Sequence, residues 1–130
     1  MTRDDVQRWL NRYVAAWMSY DPMAIGELFT ADAEYRYHPW DDPVMGRDEI
    51  VKDWLNPAGD ATKRDKPGTV QGHYSCYAVD DDRAVAIGDT VYRDTPDGLP
   101  IRSYENVWLM EFEPDGRCRS FIEYYMKRKS

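Results

Sequence analysis

Glu123 has the most chemistry to offer, because period-two alternation places it with Phe121 and Tyr125 on one face of a C-terminal strand. A carboxylate among apolar walls is pushed toward its neutral form, which suits it to proton transfer near neutral pH. The competing reading is a carboxylate satisfied by Tyr, Trp or Asn donors, a structural hydrogen-bond hub. Tyr104, Asn106 and Trp108 share a face of the preceding strand by the same period. Asn106 donates and accepts at once, so it suits orienting a carbonyl or hydroxyl, or holding Glu123 in place. His38 is a second proton carrier by type, histidine being the side chain that exchanges protons near neutral pH. Strict alternation puts Tyr37, not His38, with Tyr35, which leaves the inward residue of that pair open and a surface histidine as the plain alternative. The orientation of His73 is equally open, since bulges are common in curved sheets.

Other chemistries find little support. His38 and His73 are the only histidines, and Cys76 and Cys118 have neither a C-x-x-C spacing nor a close histidine, so no metal site is expected. Both cysteines read as buried free thiols. The formal net charge of −7 repels phosphate backbones and anionic headgroups, which argues against nucleic acid and membrane partners. No run of about 18 apolar residues occurs, and Met1 to Asp5 runs into an amphipathic pattern without a secretory leader, so a cytoplasmic location is expected. Five Trp, ten Tyr and three Phe in 130 residues are first of all core, and they also suffice to line a cavity.

The elements that must position these residues read clearly. Thr2 caps a first helix with Asp5 as its capping-box partner, and Val6, Trp9, Leu10, Tyr13, Val14, Trp17 and Met18 form its apolar face. Asp21-Pro22 starts a short second helix that points Ile25, Leu28 and Phe29 inward. Residues 33–38 alternate as a half-buried strand, ended by Pro39. Gly46-Arg47-Asp48-Glu49 opens a third helix with acids in its first turn and Ile50, Val51, Trp54 and Leu55 behind them. Residues 56–68 are rich in Pro, Gly and charge and read as a mobile loop flanking a pocket mouth. Four β-rich runs follow, at about 70–79, 84–93, 101–112 and 117–126, joined by turns at Asp80-Asp81-Asp82, Asp97-Gly98 and Pro114-Asp115-Gly116. Helices first and an antiparallel meander after them make one α+β domain over residues 1–130.

Arg12 to Trp17, Asp21-Pro22, Leu28 to Ala33, Pro39 and Gly46 to Ile50 together resemble the ketosteroid isomerase and SnoaL-like branch of the nuclear transport factor 2-like superfamily. Asp115-Gly116-Arg117, followed by Glu123-Tyr124-Tyr125, resembles the last hairpin of that branch. The resemblance spans almost the whole chain and implies a cone-shaped, strongly curved antiparallel sheet covered by three N-terminal helices. It implies a cavity lined or floored by Trp17, Tyr35, Tyr37, Trp54, His73, Tyr104, Asn106, Trp108, Phe121 and Tyr125. It gives Tyr13 the place of an oxyanion donor and Glu123 that of the strand acid used by related cyclases and epoxide hydrolases, while a core tyrosine is the plain reading of Tyr13. The general base of the isomerases, an aspartate before the proline, is replaced by His38. Their second oxyanion donor is replaced by Trp108, and the arginine and aspartate of the epoxide hydrolases are replaced at Asn106 and Trp108, so both known residue sets are incomplete here.

These readings lead to three expected functions. The first is cofactor-independent acid–base chemistry of isomerase, cyclase or hydratase type on a small hydrophobic or aromatic organic molecule. The second is binding of such a molecule without turnover, and the third is docking of another protein. The outer sheet face carries Val107, Leu109, Ile122 and Tyr124, from which a homodimer is expected.

Overall fold

In the computed structural model, which describes residues 1–129, the first helix begins as its capping signal requires. The Thr2 hydroxyl accepts from the Asp5 N–H at 3.1 Å, and the Thr2 N–H donates to the Asp5 carboxylate at 2.9 Å. Helix α1 (Arg3–Ser19) buries Val6, Trp9, Leu10, Tyr13 and Ala16, and Tyr20 ends it in the left-handed region at φ 51°. The Asp21 carboxylate caps α2 (Pro22–Gly26) by accepting from the Met23 N–H at 3.1 Å. Helix α3 (Arg47–Leu55) follows Gly46 and buries Ile50 and Trp54.

The strands are β1 (Phe29–Arg36), β2 (Val44–Met45), β3 (Val70–Asp80), β4 (Arg83–Arg93), β5 (Pro100–Phe112) and β6 (Cys118–Lys127), in the order β2-β1-β6-β5-β4-β3. Strands β3 to β6 form the expected antiparallel meander. The sheet as a whole is mixed, because β1 lies parallel to β6. Parallel neighbours need a long crossover, and here α3, the following loop and β3 to β5 all intervene. The first strand starts at Phe29 instead of Ala33 and stops at Arg36, so Tyr37 and His38 lie just past it. Its register against β6 shifts between Phe29 and Glu34, which breaks the alternation that would have shown its length. Residues 56–68 hold two short 3₁₀ turns, Pro57–Gly59 and Ala61–Lys63, and the Arg64 side chain ties them to the Leu55 carbonyl at 2.5 Å.

The core is an aromatic stack. Phe121 is fully buried between Tyr13 and Tyr35, with ring centroids 5.4 Å and 4.5 Å away and nearly parallel planes. Trp9 meets Phe29 and Phe112 edge-on and donates its indole N–H to the Leu28 carbonyl at 3.0 Å. Rings of this kind bury roughly 150–250 Å² each, so the stack both closes the helices onto the sheet and forms the floor of the space beside it. Cys76 and Cys118 are buried free thiols, as expected, and burial pushes the Cys118 thiol up to about 12.

Candidate active-site cavity

Cross-strand register builds the cavity. On the inner face Ala86, Trp108 and Glu123 form one row across β4, β5 and β6, and Gly88, Asn106 and Tyr125 form the next. The large residues stand on β5 and β6, while β4 contributes almost no side-chain volume. The Tyr74 ring fills the place of the missing Gly88 side chain, which a Cβ there would strike, and stacks on Trp108 at 3.8 Å. The helices and the loop after α3 complete a cavity of about 330 Å³, within the size range of small-molecule sites.

Glu123 lines this cavity half-buried, and burial is the main reason its carboxyl is pushed up to about 7. The Trp108 indole and the more distant His38 oppose that shift by favouring the charged form. The Trp108 N–H faces the carboxylate without reaching hydrogen-bond geometry and is left a buried donor with no partner. Among the described residues no donor therefore reaches Glu123 in hydrogen-bond geometry. Asn106 does not hold it either: its amide donates to the Tyr74 hydroxyl at 2.5 Å and to Thr90 at 3.4 Å, leaving its other end unpaired.

The hydroxyls of the cavity come in pairs. Tyr13 and Tyr35 share one hydrogen bond of 2.6 Å, and Tyr74 shares another with Thr90. One bond between two hydroxyls uses one hydrogen, so each pair keeps a second O–H for a ligand oxygen. Burial first, and then the nearby Glu123, raises Tyr13 well above the ordinary phenol value; burial and then Tyr13 do the same for Tyr35. Burial likewise pushes Tyr74 up to about 12. These phenols stay protonated and are donors, not bases.

Trp17, Tyr35, Tyr37, Trp54, Tyr104 and Tyr125 line the cavity, as do Tyr13, Asn106 and Trp108. Three expected members do not. Phe121 lies behind the wall, sandwiched between Tyr13 and Tyr35. His73 faces a second groove, which Ile87, Val107 and Tyr124 also line, its side chain 69% exposed and 3.5 Å from Asp89, because it is Tyr74 that turns inward. His38 lines the same groove while Tyr37 takes the inward place, which settles the open pair. His38 touches the cavity only through its edge: Nε2 meets the Tyr125 hydroxyl at 2.7 Å, Nδ1 meets Asp41 at 2.8 Å, and Trp40 stacks on the ring.

Several lining groups carried no sequence signal. Tyr20 and Asp65 face the cavity, and Asp65 accepts from the Trp17 indole at 3.1 Å and the Tyr20 hydroxyl at 3.3 Å. Asp53 accepts from Tyr37 at 2.5 Å. Arg102 lies over the Tyr92 ring, 4.3 Å from its centre. Asp53 sits among the helical charges of α3 and Asp65 in a charged loop, where a solvated carboxylate is the ordinary expectation.

Among the described residues no three His, Cys, Asp or Glu side chains are grouped to hold a metal ion, and no helix is long and apolar enough to cross a membrane. The chain is similar in structure to the epoxide hydrolase/cyclase-like enzyme SalBIII, which has a role in pyran ring formation in the polyether salinomycin. The TM-score is 0.68 at 16% identity, over 92% of this chain and 88% of that one, a likeness of fold. No curated protein matches the sequence. The model of the SnoaL-like domain matches residues 10–121, the span from α1 to the middle of β6, and the chain belongs to that family.

Proposed function

We propose that this chain binds a small, largely apolar organic molecule in the aromatic cavity and moves a proton on it with Glu123, in a cofactor-independent reaction of isomerase, cyclase or hydratase type. One observation carries the reading: a carboxyl held near pH 7 by burial, facing a cavity with unpaired polar atoms on Trp108 and Asn106 beside it. The ionised Glu123 takes a proton from a C–H or O–H of the ligand or, in a hydration, from a water whose oxygen bonds to the ligand. Charge developing on a ligand oxygen meets the spare O–H of the Tyr13–Tyr35 pair or the Trp108 N–H. The Glu123 acid then returns the proton to a different atom, so no electrons leave the ligand. The cyclase-like relative of the same fold supports this class of chemistry.

Glu123→Gln keeps size and hydrogen bonding. It is expected to lower turnover of a true substrate by about 10²–10⁴-fold while leaving its binding in place. Proton abstraction starts from the ionised form, so the wild-type rate should rise with pH through a midpoint of about 7. Wild-type turnover by Glu123→Gln would refute the acid–base role. A second reading, binding without turnover, is favoured by the way the hydroxyls pair with one another instead of converging on Glu123. It predicts equal ligand affinity in both proteins and no reaction in either.

A further inference from the structure

At the mouth of the cavity the charge pattern is specific. Asp65 is held by the Trp17 indole and the Tyr20 hydroxyl, and Asp53 is held by the Tyr37 hydroxyl. Both carboxylates line the cavity half-buried, and among the described residues neither enters an ion pair. Trp17 and Tyr20 belong to the end of α1, whose last turn carries no basic residue, so its carbonyl ends add negative partial charge there. The walls between the two acids are aromatic faces, which attract cations through their quadrupoles. This mouth already shows the preference: Arg102, the one cationic lining side chain among the described residues, lies on the Tyr92 ring.

A second observation lies deeper. Asn106 is 7% exposed and Trp108 2%, and each has a buried polar atom with no partner in the cavity wall. Such atoms are costly unless a ligand or water meets them. The cavity is therefore polar at both ends and aromatic between them, with its negative end outermost.

We propose that the ligand is a small organic cation, an amine or quaternary ammonium compound. Its positive nitrogen sits between Asp53 and Asp65 against the rings of Trp17, Tyr20 and Tyr37, and its polar group reaches Asn106 and Trp108. This rests on the cavity being the binding site, and it adds the class of molecule that enters. Asp53 and Asp65 at the mouth, with Glu123 deeper in the same cavity, set three carboxylates against Arg102; they select a cation over a neutral molecule of the same shape and reject an anion by repulsion. The net charge of −7 draws the same ligands toward the surface.

The test uses the intact protein and three probes: benzyltrimethylammonium, its uncharged carbon isostere neopentylbenzene, and phenylacetate. Binding is read from the indole N–H resonance of Trp17, which reports directly on the Asp65 contact. The cation is expected to bind at least tenfold tighter than the isostere, with phenylacetate weakest. Asp53→Asn combined with Asp65→Asn, nearly isosteric changes, should remove that preference. Equal binding of cation and isostere, tighter binding of phenylacetate through Arg102, or a preference that survives the double variant would each overturn the proposal. The wild-type comparison needs no variant to fold. A failure here would leave the Glu123 reading untouched, since that is judged by turnover and its pH midpoint.

Discussion

The two faces of the β4–β5–β6 sheet break the rule of burial in opposite directions. Inside, the row Ala86, Trp108, Glu123 places an ionisable group where water is scarce. Outside, the rows Val85, Leu109, Ile122 and Ile87, Val107, Tyr124 place six apolar side chains on the surface, with Ile87, Val107, Leu109 and Tyr124 between 37% and 42% exposed. The same strands make both faces, so neither departure reflects a poorly folded region. A local rule broken inside a well-packed element marks a place where the protein meets something else. On the proposed reading the inner face is where a ligand gives up a proton, and the homodimer expected from the sequence would cover the outer face.

The comparison breaks most visibly at the core. Phe121→Ala empties the stack between Tyr13 and Tyr35 and should cost about 3–5 kcal/mol in urea unfolding, whereas truncating Leu109 on the outer face should cost under about 1 kcal/mol. Equal losses would mean that the faces are not the distinct environments their burial implies.

Glu123→Gln sharpens it through pH. The folded carboxyl sits at about 7 against an ordinary 4.5, so between these values the folded protein keeps a proton that the unfolded chain releases. Stability is then undiminished below about pH 4.5, falls as pH rises through 7, and stays lower above it. Allowing for partial solvent contact, the penalty at pH 8 is on the order of 2–3 kcal/mol. Thermal melts should find Glu123→Gln more stable than the wild type at pH 8 and equal to it at pH 4. A difference independent of pH would show that Glu123 does not titrate in this range.

Gly88→Ala tests the device that makes room for the cavity. A methyl group would strike both the His73 backbone carbonyl and the Tyr74 ring, so the paired β3 backbone must shift as well as the ring stacked on Trp108, and overpacking of this kind costs about 1–3 kcal/mol or more. The near-ultraviolet circular dichroism of the stacked rings should change along with the stability. Unchanged spectra would mean that the glycine is replaceable.

Much of this was legible before any coordinates. The capping box at Thr2, the helix start at Asp21-Pro22 and the four strands of the meander follow from local periodicity and turn chemistry; period two also groups Tyr104, Asn106 and Trp108, and Glu123 with Tyr125, while it is the resemblance to the SnoaL-like branch that turns those faces inward. What was hidden is non-local. The parallel pairing of β1 with β6 depends on residues far apart in the chain. A register shift at the start of β1 defeats alternation, and Tyr37 and His38 fall beyond its end, where period two no longer applies. Asp53 and Asp65 look like solvated charges in sequence, and only the folding of α3 and its loop over the mouth turns them inward.

The smallest effect on folding and the sharpest on assembly is expected from Leu109→Glu. Leu109 stands at the centre of the outer row between Val85 and Ile122 and is 37% exposed, so in a monomer the new carboxylate reaches water and stability changes by no more than about 0.5 kcal/mol. Across a subunit interface the same charge would be buried opposite apolar side chains without a partner, at a cost of several kcal/mol. Wild-type protein should therefore sediment as a homodimer at micromolar concentration, with a melting temperature that rises with protein concentration. Leu109→Glu should sediment as a monomer with a melting temperature that does not. A wild-type monomer at high micromolar concentration would rule out self-association through this face and leave its apolar rows for a partner other than a second copy of the chain.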